Sequence, residues 1–457
     1  MSLINNSFDV ITNDLCIGCG ACTVNTRHSM IFDQDGFYKP SHIDQSLNSS
    51  VCPFVDSNHN EDSLSAEFTE GQQHVERLGN IVSLYCGHVT DEFIRRNSTS
   101  GGLGTWITLS MFNSGLIDRV IHVRPTHSPE HPYFEYSISR STSDINFASG
   151  SRYYPINFRD VMQEVIDDPE EHSYCFVGIP CFVKAMRLLQ LEYPVLRKKI
   201  KFTVAIVCGH MKSSFWTEML AWSGGITPGN LAEFRHRTKL ESPDFEIRKY
   251  LFTAKSVNGK SILKDSAEVP GGKFNSGAFM ANACNFCDDV VGETADITVG
   301  DAWLPRFETD NKGNNLIIVR NFMINELLDA GRRNNELNIE TCTSDDALWA
   351  QAGGFRQRGE GLAYRLYLRT KQNLAVPTKR FKPSRNVPLI RKIIYRLRMR
   401  ISTISVTYYK RARAKRMLQI YLDKLLLECR VLRVFEIYSS FFRIVVRRVG
   451  WIANKLR

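Results

Sequence analysis

The hydrophobic pattern between residues 80 and 375 alternates between two kinds of segment. Short apolar runs bounded by turn residues predict strands, and apolar residues spaced three and four positions apart predict helices. The predicted strands are residues 120–123, 175–178, 202–207 and 295–299. The predicted helices are residues 103–112, 182–189 and 214–222. A hairpin is also predicted, with arms at 245–257 and 261–265, because Asn258 and Gly259 supply a positive-φ turn. Such alternation is typical of an α/β domain.

Polar and turn residues divide the 457-residue chain into three parts. Residues 1–56 are rich in cysteine and turn residues, and the polar segment 57–79 is interpreted as a linker. The α/β region covers residues 80–375, and residues 380–457 form a separate C-terminal tail. With 43% apolar residues the chain has enough material for packed cores, which argues against disorder.

Cationic residues are concentrated at one end of the chain. Residues 379–457 carry 22 Lys or Arg against three Asp or Glu, which leaves 36 against 45 in residues 1–378. The net charge of +10 therefore combines an acidic body with a basic tail.

The cellular compartment determines how the cysteines are interpreted. The N-terminal residues lack the basic and apolar regions of a secretory signal, and no stretch reaches ~18 uninterrupted apolar residues. We therefore expect a cytoplasmic protein, with a peripheral position on the inner face of the membrane as an option. Clustered cysteines in a reducing compartment are metal ligands more often than disulfide partners.

The N-terminal cysteines match the ligand set of one ferredoxin-type cluster. Cys16, Cys19 and Cys22 form a C-x2-C-x2-C run, and Cys52 follows later with Pro53 after it. In two-cluster ferredoxins the last cysteine of each run ligates the cluster of the other run. Here the first run lacks its fourth cysteine and the second run keeps only its last. The four thiols therefore predict one 4Fe–4S cluster.

A zinc site or a decayed remnant is the alternative, because zinc also accepts four thiolates. Zinc motifs usually combine two C-x2-C pairs, however, and not a three-cysteine run completed by Cys-Pro. Gly18 and Gly20 would in addition let backbone amides approach cluster sulfurs. We therefore favour iron.

Four further cysteines are candidates for a second cluster. Cys181 and Cys208 each follow a predicted strand, so both are expected at the carboxyl edge of one sheet, where α/β sheets bind ligands. Cys284 and Cys287 form a C-x2-C pair in a loop. The alternative is that a cysteine beside an apolar strand is only a small buried side chain. The remaining cysteines are interpreted as core or surface thiols: Cys86, Cys175, Cys342 and Cys429.

Two polar segments suit a phosphate-bearing cofactor. Residues 97–102 (Asn-Ser-Thr-Ser-Gly-Gly) run into the predicted helix 103–112, where free amides and the helix dipole attract phosphate. An ordinary helix cap is the alternative. Gly300, Asp301 and His210 each follow a predicted strand, a position typical of cofactor or substrate contacts. His210 is a candidate proton donor, with a helix-capping role as the alternative.

A short run of cations lies between these segments. Arg235, Arg237 and Lys239 are candidates for holding an anionic substrate. The alternative is a solvated surface face, which is the more common role of a charge run.

Together these segments resemble the beta subunits of coenzyme F-420 hydrogenases and dehydrogenases, a family that also includes chlorophyll-modifying reductases. The resemblance extends in order and spacing from about residue 10 to residue 360. The matching segments are residues 16–22, 98–102, 177–181, 207–210, 284–287 and 295–303, with Gly36, Phe37 and Pro40 after the first.

The resemblance implies a flavoprotein with iron–sulfur clusters. It implies FAD, and electron transfer between a one-electron chain and a two-electron organic substrate. The carrier would be a ferredoxin or a deazaflavin, coenzyme F-420 being one option. Similar chains also occur in organisms without the deazaflavin and among genes for surface polysaccharide synthesis, so the electron partner stays open. The residues assigned to FAD are Ser98, Ser100, Gly101, Gly102, Gly300 and Asp301.

The tail has the pattern of basic amphipathic helices. Apolar residues recur at helical spacing among Arg and Lys from residue 388 to residue 457. Residues 431–456 mix aromatic, aliphatic and cationic side chains, a composition suited to an anionic membrane surface. Docking on a partner protein of the same complex is the first alternative. Nucleic acid, which the basic charge would permit, is the least favoured partner.

The fold we expect is an α/β (α+β) core, residues 80–375, with an N-terminal ferredoxin-like 4Fe–4S domain, residues 1–56, and a basic helical tail, residues 380–457. The leading hypothesis is an iron–sulfur flavoprotein oxidoreductase. The second is a non-catalytic electron-transfer or accessory subunit of a polysaccharide-biosynthesis or membrane-associated complex, and a zinc-stabilised binding protein ranks last.

Overall fold

The computed structural model describes residues 4–56, 59–71, 73–126, 133–242 and 245–455, with side chains up to residue 441. The strands are β1 Met30–Phe32, β2 Tyr38–Pro40, β3 Gln73–Val75, β4 Gly79–Ile81, β5 Ser83–Val89, β6 Arg119–Pro125, β7 Phe134–Ser139, β8 Tyr174–Gly178, β9 Ile200–Ile206, β10 Leu231–Arg235, β11 Leu251–Ser256, β12 Ser261–Asp265, β13 Ile297–Asp301, β14 Asn315–Val319 and β15 Leu337–Thr341. The helices are α1 Ser7–Thr12, α2 Glu61–Phe68, α3 Glu92–Asn97, α4 Leu103–Asn113, α5 Thr142–Phe147, α6 Arg159–Asp167, α7 Pro180–Glu192, α8 Pro194–Lys199, α9 Ser214–Ser223, α10 Phe322–Arg333, α11 Ser344–Ala350, α12 Ala352–Arg358, α13 Glu360–Lys371, α14 Leu389–Lys415 and α15 Gln419–Lys455.

Within the described residues, eight strands form one mixed sheet in the order β15-β5-β14-β13-β9-β8-β6-β7. The inner strands β13, β9, β8 and β6 run parallel to their neighbours in this group. The outer strands pair antiparallel on both sides. The mixed α/β core expected from the sequence is thus confirmed. Because parallel strands end at the same edge of a sheet, the segments that follow β8, β9 and β13 lie near one another.

Helices cover both faces of this sheet. On β14, Ile317 and Val319 belong to the core that contains Trp106 of α4, whereas Leu316 and Ile318 belong to the core on the opposite face. All four β14 residues are buried, as the two-residue period of a strand inside a three-layer structure requires.

Most predicted elements are present with small shifts at their ends. The predicted helices correspond to α4, α7 and α9, and the predicted strands to β6, β8, β9 and β13. The hairpin is shorter than expected, because its first arm begins at Leu251, the start of β11. Gly259 lies in its turn at φ +81°.

The interpretation of residues 57–79 as a linker was wrong for the part that the structure describes. Residues 61–68 form α2, whose Leu64 is fully buried. Glu61 pairs with Lys184 of α7 at 3.0 Å, and both side chains are less than 10% exposed. A polar segment was therefore mistaken for a solvated one, because its charge is neutralised by a residue far along the chain.

One hydrophobic core joins the three predicted parts of the chain. It contains Val10 from the N-terminal part, Phe176 from the α/β region and Tyr409 from the tail. The division into domains at residues 56, 80 and 380 stays a prediction.

The tail forms a helical hairpin that packs on the body. Arg398 of α14 pairs with Glu436 of α15 at 2.7 Å, and Arg400 pairs with Glu428 at 2.9 Å. Ser402 donates a hydrogen bond to the carbonyl of Met280 at 2.7 Å. The side chains of residues 442–457, which include much of the segment predicted to suit a membrane surface, lie outside the described residues. Within the described part, no helix combines the length and apolar character needed to cross a bilayer.

A buried ion pair ties α7 to β9 and β13. Arg187 of α7 donates from Nη2 to Asp296 Oδ2 at 2.8 Å, and both side chains are at most 6% exposed. Asp296, just before β13, also accepts from the amide and the hydroxyl of Thr203 on β9. Since an unpaired buried charge is costly, this pair fixes the three elements relative to one another.

Arg187→Met is expected to lower the free energy of unfolding by about 3–5 kcal/mol, because the Asp296 carboxylate is left buried without its partner. Urea unfolding measures the loss. Arg197→Met on α8 is the control, since the Arg197–Glu67 pair (2.6 Å) has both side chains 47% exposed and should contribute less than about 1 kcal/mol. Equal losses in the two variants would contradict the role given to the buried pair.

Candidate functional site

The four N-terminal cysteines lie together. Cys16 and Cys19 lie in the loop after α1, Cys22 lies in the single turn Ala21–Thr23, and Cys52 comes from a later loop. Burial raises the pKa of Cys22 well above its usual value, and the thiols of Cys52, Cys16 and Cys19 raise it further. Burial also raises the pKa of Cys52 to about 11. Four thiols within electrostatic reach of one another match the donor set of a four-iron cluster.

Glycines shape the loop that carries the first three thiols. Gly18 and Gly20 have φ angles of +70° and +86°, which other residues rarely adopt. The amide of Gly18 donates to the Cys16 sulfur at 3.3 Å, which is the amide-to-sulfur contact expected from the sequence. A Cβ at Gly18 would lie 2.5 Å from the carbonyl oxygen of Tyr38, so only glycine fits.

The second set of cysteines also lies together. Cys181 is in the first turn of α7, Cys208 follows β9, and Cys284 and Cys287 lie in and just after the short helical turn Asn282–Phe286. Burial raises the pKa of Cys181 well above its usual value, and the thiols of Cys287, Cys208 and Cys284 raise it further. The amide of Met211 donates to the Cys284 sulfur at 3.3 Å.

The two sets of thiols are neighbours. Cys19 of the first set also raises the pKa of Cys181 of the second. Tyr136 lies near both: burial raises the pKa of its hydroxyl, and Cys181 and Cys19 add to that increase. Its hydroxyl donates to the carbonyl of Val177 at 3.1 Å. Nothing in the sequence indicated this tyrosine.

Arg358 is a second residue that the sequence analysis missed. Its side chain is 2% exposed, and Nη1 donates to the carbonyl of Cys208 at 2.6 Å. Burial lowers the pKa of Arg358, but the thiols of Cys287, Cys208 and Cys284 raise it more, so it lies above its usual value. A buried cation beside three thiols offsets the negative charge that thiolate ligands would bring.

The donor types and grouping of the eight cysteines fit two clusters. Across the described residues, no three His, Cys, Asp or Glu side chains converge as ligands of a single metal ion do. A four-iron cluster sets a different geometric requirement, because each thiolate binds its own iron. All twelve cysteines are free thiols.

The other four cysteines take no part in these sets. Cys175 is fully buried in β8, and Cys429 lies on α15. Cys86 of β5 and Cys342 after β15 contact each other: a hydrogen bond with Cys342 and burial raise the pKa of Cys86. Both are buried, in agreement with a core role.

A cavity of about 630 Å³ lies at the carboxyl ends of β8, β9 and β13, where Val177, Ile206 and Gly300 line it. Sites for small molecules and cofactors range over ~300–1,000 Å³. Cys208 also lines the cavity, so the second thiol set lies directly behind its wall. The tail hairpin contributes further lining residues: Arg391, Arg398, Glu436 and Ser440.

Five of the six residues assigned to a cofactor line this cavity, namely Ser98, Ser100, Gly102, Gly300 and Asp301. Gly101 does not, because its backbone packs inward: a Cβ there would lie 2.7 Å from the carbonyl oxygen of Gly87. The Ser100 hydroxyl donates to the carbonyl of Asn314 at 2.9 Å. Gly102 caps α4 at φ +91° without a side-chain cap.

His210 lines the cavity and stacks on Phe274, with ring centroids 4.2 Å apart and planes 10° from parallel. Burial lowers its pKa well below the usual value, and Lys212 and two nearby arginines lower it further. The ring is therefore neutral near pH 7. Its Nε2 is buried and has no hydrogen-bond partner in the described part of the chain. Its role as a proton donor stays a prediction.

Of the three cations singled out in the sequence, only Arg237 lines the cavity. Arg235 donates to the carbonyl of Asn97, and Lys239 donates to the carbonyls of Arg95 and Ser100. Arg237 pairs with Asp301 at 2.9 Å, and its side chain is 6% exposed. Its Nη2 has no hydrogen-bond partner among the described residues.

Aromatic rings that the sequence did not indicate complete the cavity wall. Tyr153 lies 4.7 Å from Phe274 and 6.1 Å from Tyr250, measured between ring centroids. All three rings line the cavity. Flat apolar faces beside a buried cation suit a planar ring that carries anionic groups.

Family models match two consecutive parts of this chain. The N-terminal model of the coenzyme F-420 hydrogenase/dehydrogenase beta subunit matches residues 84–163, and the C-terminal model of the same beta subunit matches residues 171–345. These two matches, on a mixed α/β fold, place the protein among oxidoreductase-type electron-transfer subunits. The chain belongs to the family of coenzyme F-420 hydrogenase/dehydrogenase beta subunits, as the resemblance in its motifs indicated.

Two curated relatives and one solved structure are similar to this chain. The chain is 23% identical over 343 residues to an uncharacterized protein of Methanocaldococcus jannaschii, covering 68% of this chain and 85% of that protein. It is 24% identical over 314 residues to one of the subunits of the F(420)H(2) dehydrogenase of Methanosarcina mazei, covering 65% and 78%. A chain of the F-420-reducing NiFe hydrogenase complex from Methanosarcina barkeri is 17% identical, covering 67% and 98%, with a TM-score of 0.48.

His122, which lines the cavity, should make stability depend on pH. Its Nε2 lies 2.7 Å from the Ser139 hydroxyl, and burial, with Arg152 next, lowers its pKa to about 4. Between pH 6.5 and 4 the unfolded chain binds a proton at this histidine that the folded chain does not, so stability falls as the pH falls. Urea unfolding at pH 7 and pH 5 should show a smaller loss for His122→Gln than for the wild type. If the variant and the wild type lose the same free energy of unfolding between pH 7 and pH 5, the lowered pKa does not belong to His122.

Proposed function

We propose that this protein is an iron–sulfur flavoprotein oxidoreductase. It takes electrons from a small carrier, a ferredoxin or a deazaflavin such as coenzyme F-420, and delivers them to an organic substrate. The observation that carries the proposal is the continuous arrangement of two thiol sets and a cavity: Cys19 neighbours Cys181, and Cys208 lines the cavity.

In this proposal each thiol set holds one 4Fe–4S cluster. Cys16, Cys19, Cys22 and Cys52 bind the first, nearer the N-terminus. Cys181, Cys208, Cys284 and Cys287 bind the second. Arg358 offsets the negative charge of the second set, and the amides of Gly18 and Met211 hydrogen-bond to thiol sulfurs, which tunes a cluster's potential.

The cavity is the proposed site of FAD. At the N-terminus of α4 the amide of Leu103 donates to Asn315 Oδ1 at 3.1 Å, and the next residues of the first turn, Gly104 and Thr105, line the cavity and are the proposed position of a phosphate. Arg237 supplies a buried donor without a partner among the described residues, and the aromatic rings around Phe274 supply faces for a planar ring. Clusters exchange single electrons and a flavin exchanges either one or two, so together they connect a one-electron chain to a hydride-accepting substrate.

A partner protein is a further part of the proposal. One curated relative is named as a subunit of a dehydrogenase, so a protein of this family can work beside other chains. The first thiol set, at the N-terminal side of the chain, is the proposed entry point for electrons from such a partner or from a small carrier.

A second candidate function is that of an accessory electron-transfer subunit without its own substrate. The tail hairpin favours this alternative, since it lies beyond the residues that the family models match and could serve attachment to a complex. Flavin content separates the two functions, because an accessory subunit of this kind needs iron but no FAD.

Anaerobically purified protein is expected to contain about eight irons, about eight sulfides and one FAD per chain. Cys22→Ala and Cys284→Ala should each lower the iron content to about four, because each removes a ligand of a different cluster. Iron, acid-labile sulfide and flavin assays on the same samples measure this.

Cys175→Ala is the matched control, since this buried cysteine of β8 belongs to neither set. It should keep about eight irons. Iron content that falls equally in all three variants would count against the ligand assignment. About eight irons without flavin would support the accessory subunit. Stoichiometric zinc without iron would contradict both proposed functions.

A further inference from the structure

Helix α15 exposes an apolar stripe. Leu427, Val431, Val434, Tyr438 and Phe441 recur at alternating spacings of four and three residues, which places them on one face of the helix. Each side chain is between 37% and 66% exposed. The stripe belongs to the described part of the helix.

The opposite face of α15 is fixed to the body of the protein. Tyr421, Leu425 and Leu432 are at most 2% exposed, and Tyr421 stacks on Phe279 with ring centroids 5.5 Å apart. Glu436 pairs with Arg398. The packing of this face therefore holds α15 in one orientation. The helix cannot rotate about its axis to bury the exposed stripe against the body.

Between Leu427 and Phe441, the two charged residues that lack an ion-pair partner among the described residues are both positive. They are Arg430 and Arg433, which are both exposed. Lys415 at the end of α14 and Arg416 in the turn after it are also exposed cations, and Asp423, one helical turn before Leu427, is an exposed carboxylate that accepts a hydrogen bond from Gln419. An apolar line flanked by unpaired cations is complementary to a surface that is apolar inside and anionic outside.

We propose that this face of α15 docks on an anionic membrane surface. The apolar stripe enters the boundary between headgroups and acyl chains, and the flanking arginines extend to lipid phosphates. A second copy of the chain fits less well, because pairing two such faces would bring the four arginines of two stripes together. The partner is a lipid surface rich in anionic headgroups.

The docking would orient the functional site. The same helix that carries the stripe contributes Glu436 and Ser440 to the lining of the cavity. Docking would therefore hold the cavity wall beside the bilayer, within reach of membrane-bound carriers or substrates. This step rests on the proposed function, whereas the docking itself does not.

Sedimentation with lipid vesicles tests the proposal on the full-length, cofactor-loaded protein. Vesicles of phosphatidylcholine mixed with phosphatidylglycerol should bind the protein, and vesicles of phosphatidylcholine alone should bind it far less. Val434→Glu with Tyr438→Glu, and separately Arg430→Gln with Arg433→Gln, should each weaken binding to the anionic vesicles by about tenfold or more. High salt should weaken binding as well.

Leu263→Glu is the matched control, because Leu263 is an apolar residue of β12 that is 50% exposed and lies outside the hairpin of α14 and α15. It should bind vesicles like the wild type. All variants change exposed side chains, and unchanged iron content and thermal unfolding would show that they fold. Equal binding of the stripe variant and the control, or no binding to anionic vesicles, would overturn the proposal. So would a lipid-free dimer that the stripe variant abolishes, since that result would assign the stripe to a second copy.

Discussion

The buried ion pair between Arg187 and Asp296 is the constraint on which the site depends. It joins α7 and the middle of β9 to the residue just before β13, and the candidate site residues lie at the start of α7 and after the strands. Cys181 begins α7, Cys208 follows β9, and Asp301 ends β13. The pair and its hydrogen bonds to Thr203 fix the register of the strands. The positions of the thiols and of the cavity depend on that register.

The second physical feature is the concentration of thiols in buried positions. Burial raises the pKa of Cys181, Cys208 and Cys284, which disfavours free thiolates in the protein without metal. Metal binding reverses this balance, because the ligated form is the thiolate and the metal supplies the opposite charge. The positive charge of Arg358 also favours the thiolate form of the neighbouring cysteines. In the proposed cluster assignment, binding of clusters and stability of the folded state are therefore expected to be linked.

Much of the fold could be predicted because its signals are local. Apolar periodicity located α4, α7 and α9, and cysteine spacing grouped the thiols that the structure brings together. The features that the sequence did not predict depend on contacts between residues that are far apart along the chain. Arg358 and Tyr136 gain their positions from contacts across the chain, and Glu61 is buried only because Lys184 lies opposite. Gly101 was assigned to the cofactor by its neighbours in sequence, but its backbone packs against Gly87 instead. The part of the tail in the cavity wall could not be predicted either, since helical periodicity does not indicate what a helix packs on.

In the proposed arrangement two four-iron clusters lie side by side in one chain and lead to the cavity. Low-temperature electron paramagnetic resonance of the fully reduced protein tests it most directly. Two neighbouring reduced clusters should give about two unpaired spins per chain, with a spectrum broadened and split by the interaction between them. A simple spectrum that integrates to about one spin, or the absence of any iron–sulfur signal, would contradict it.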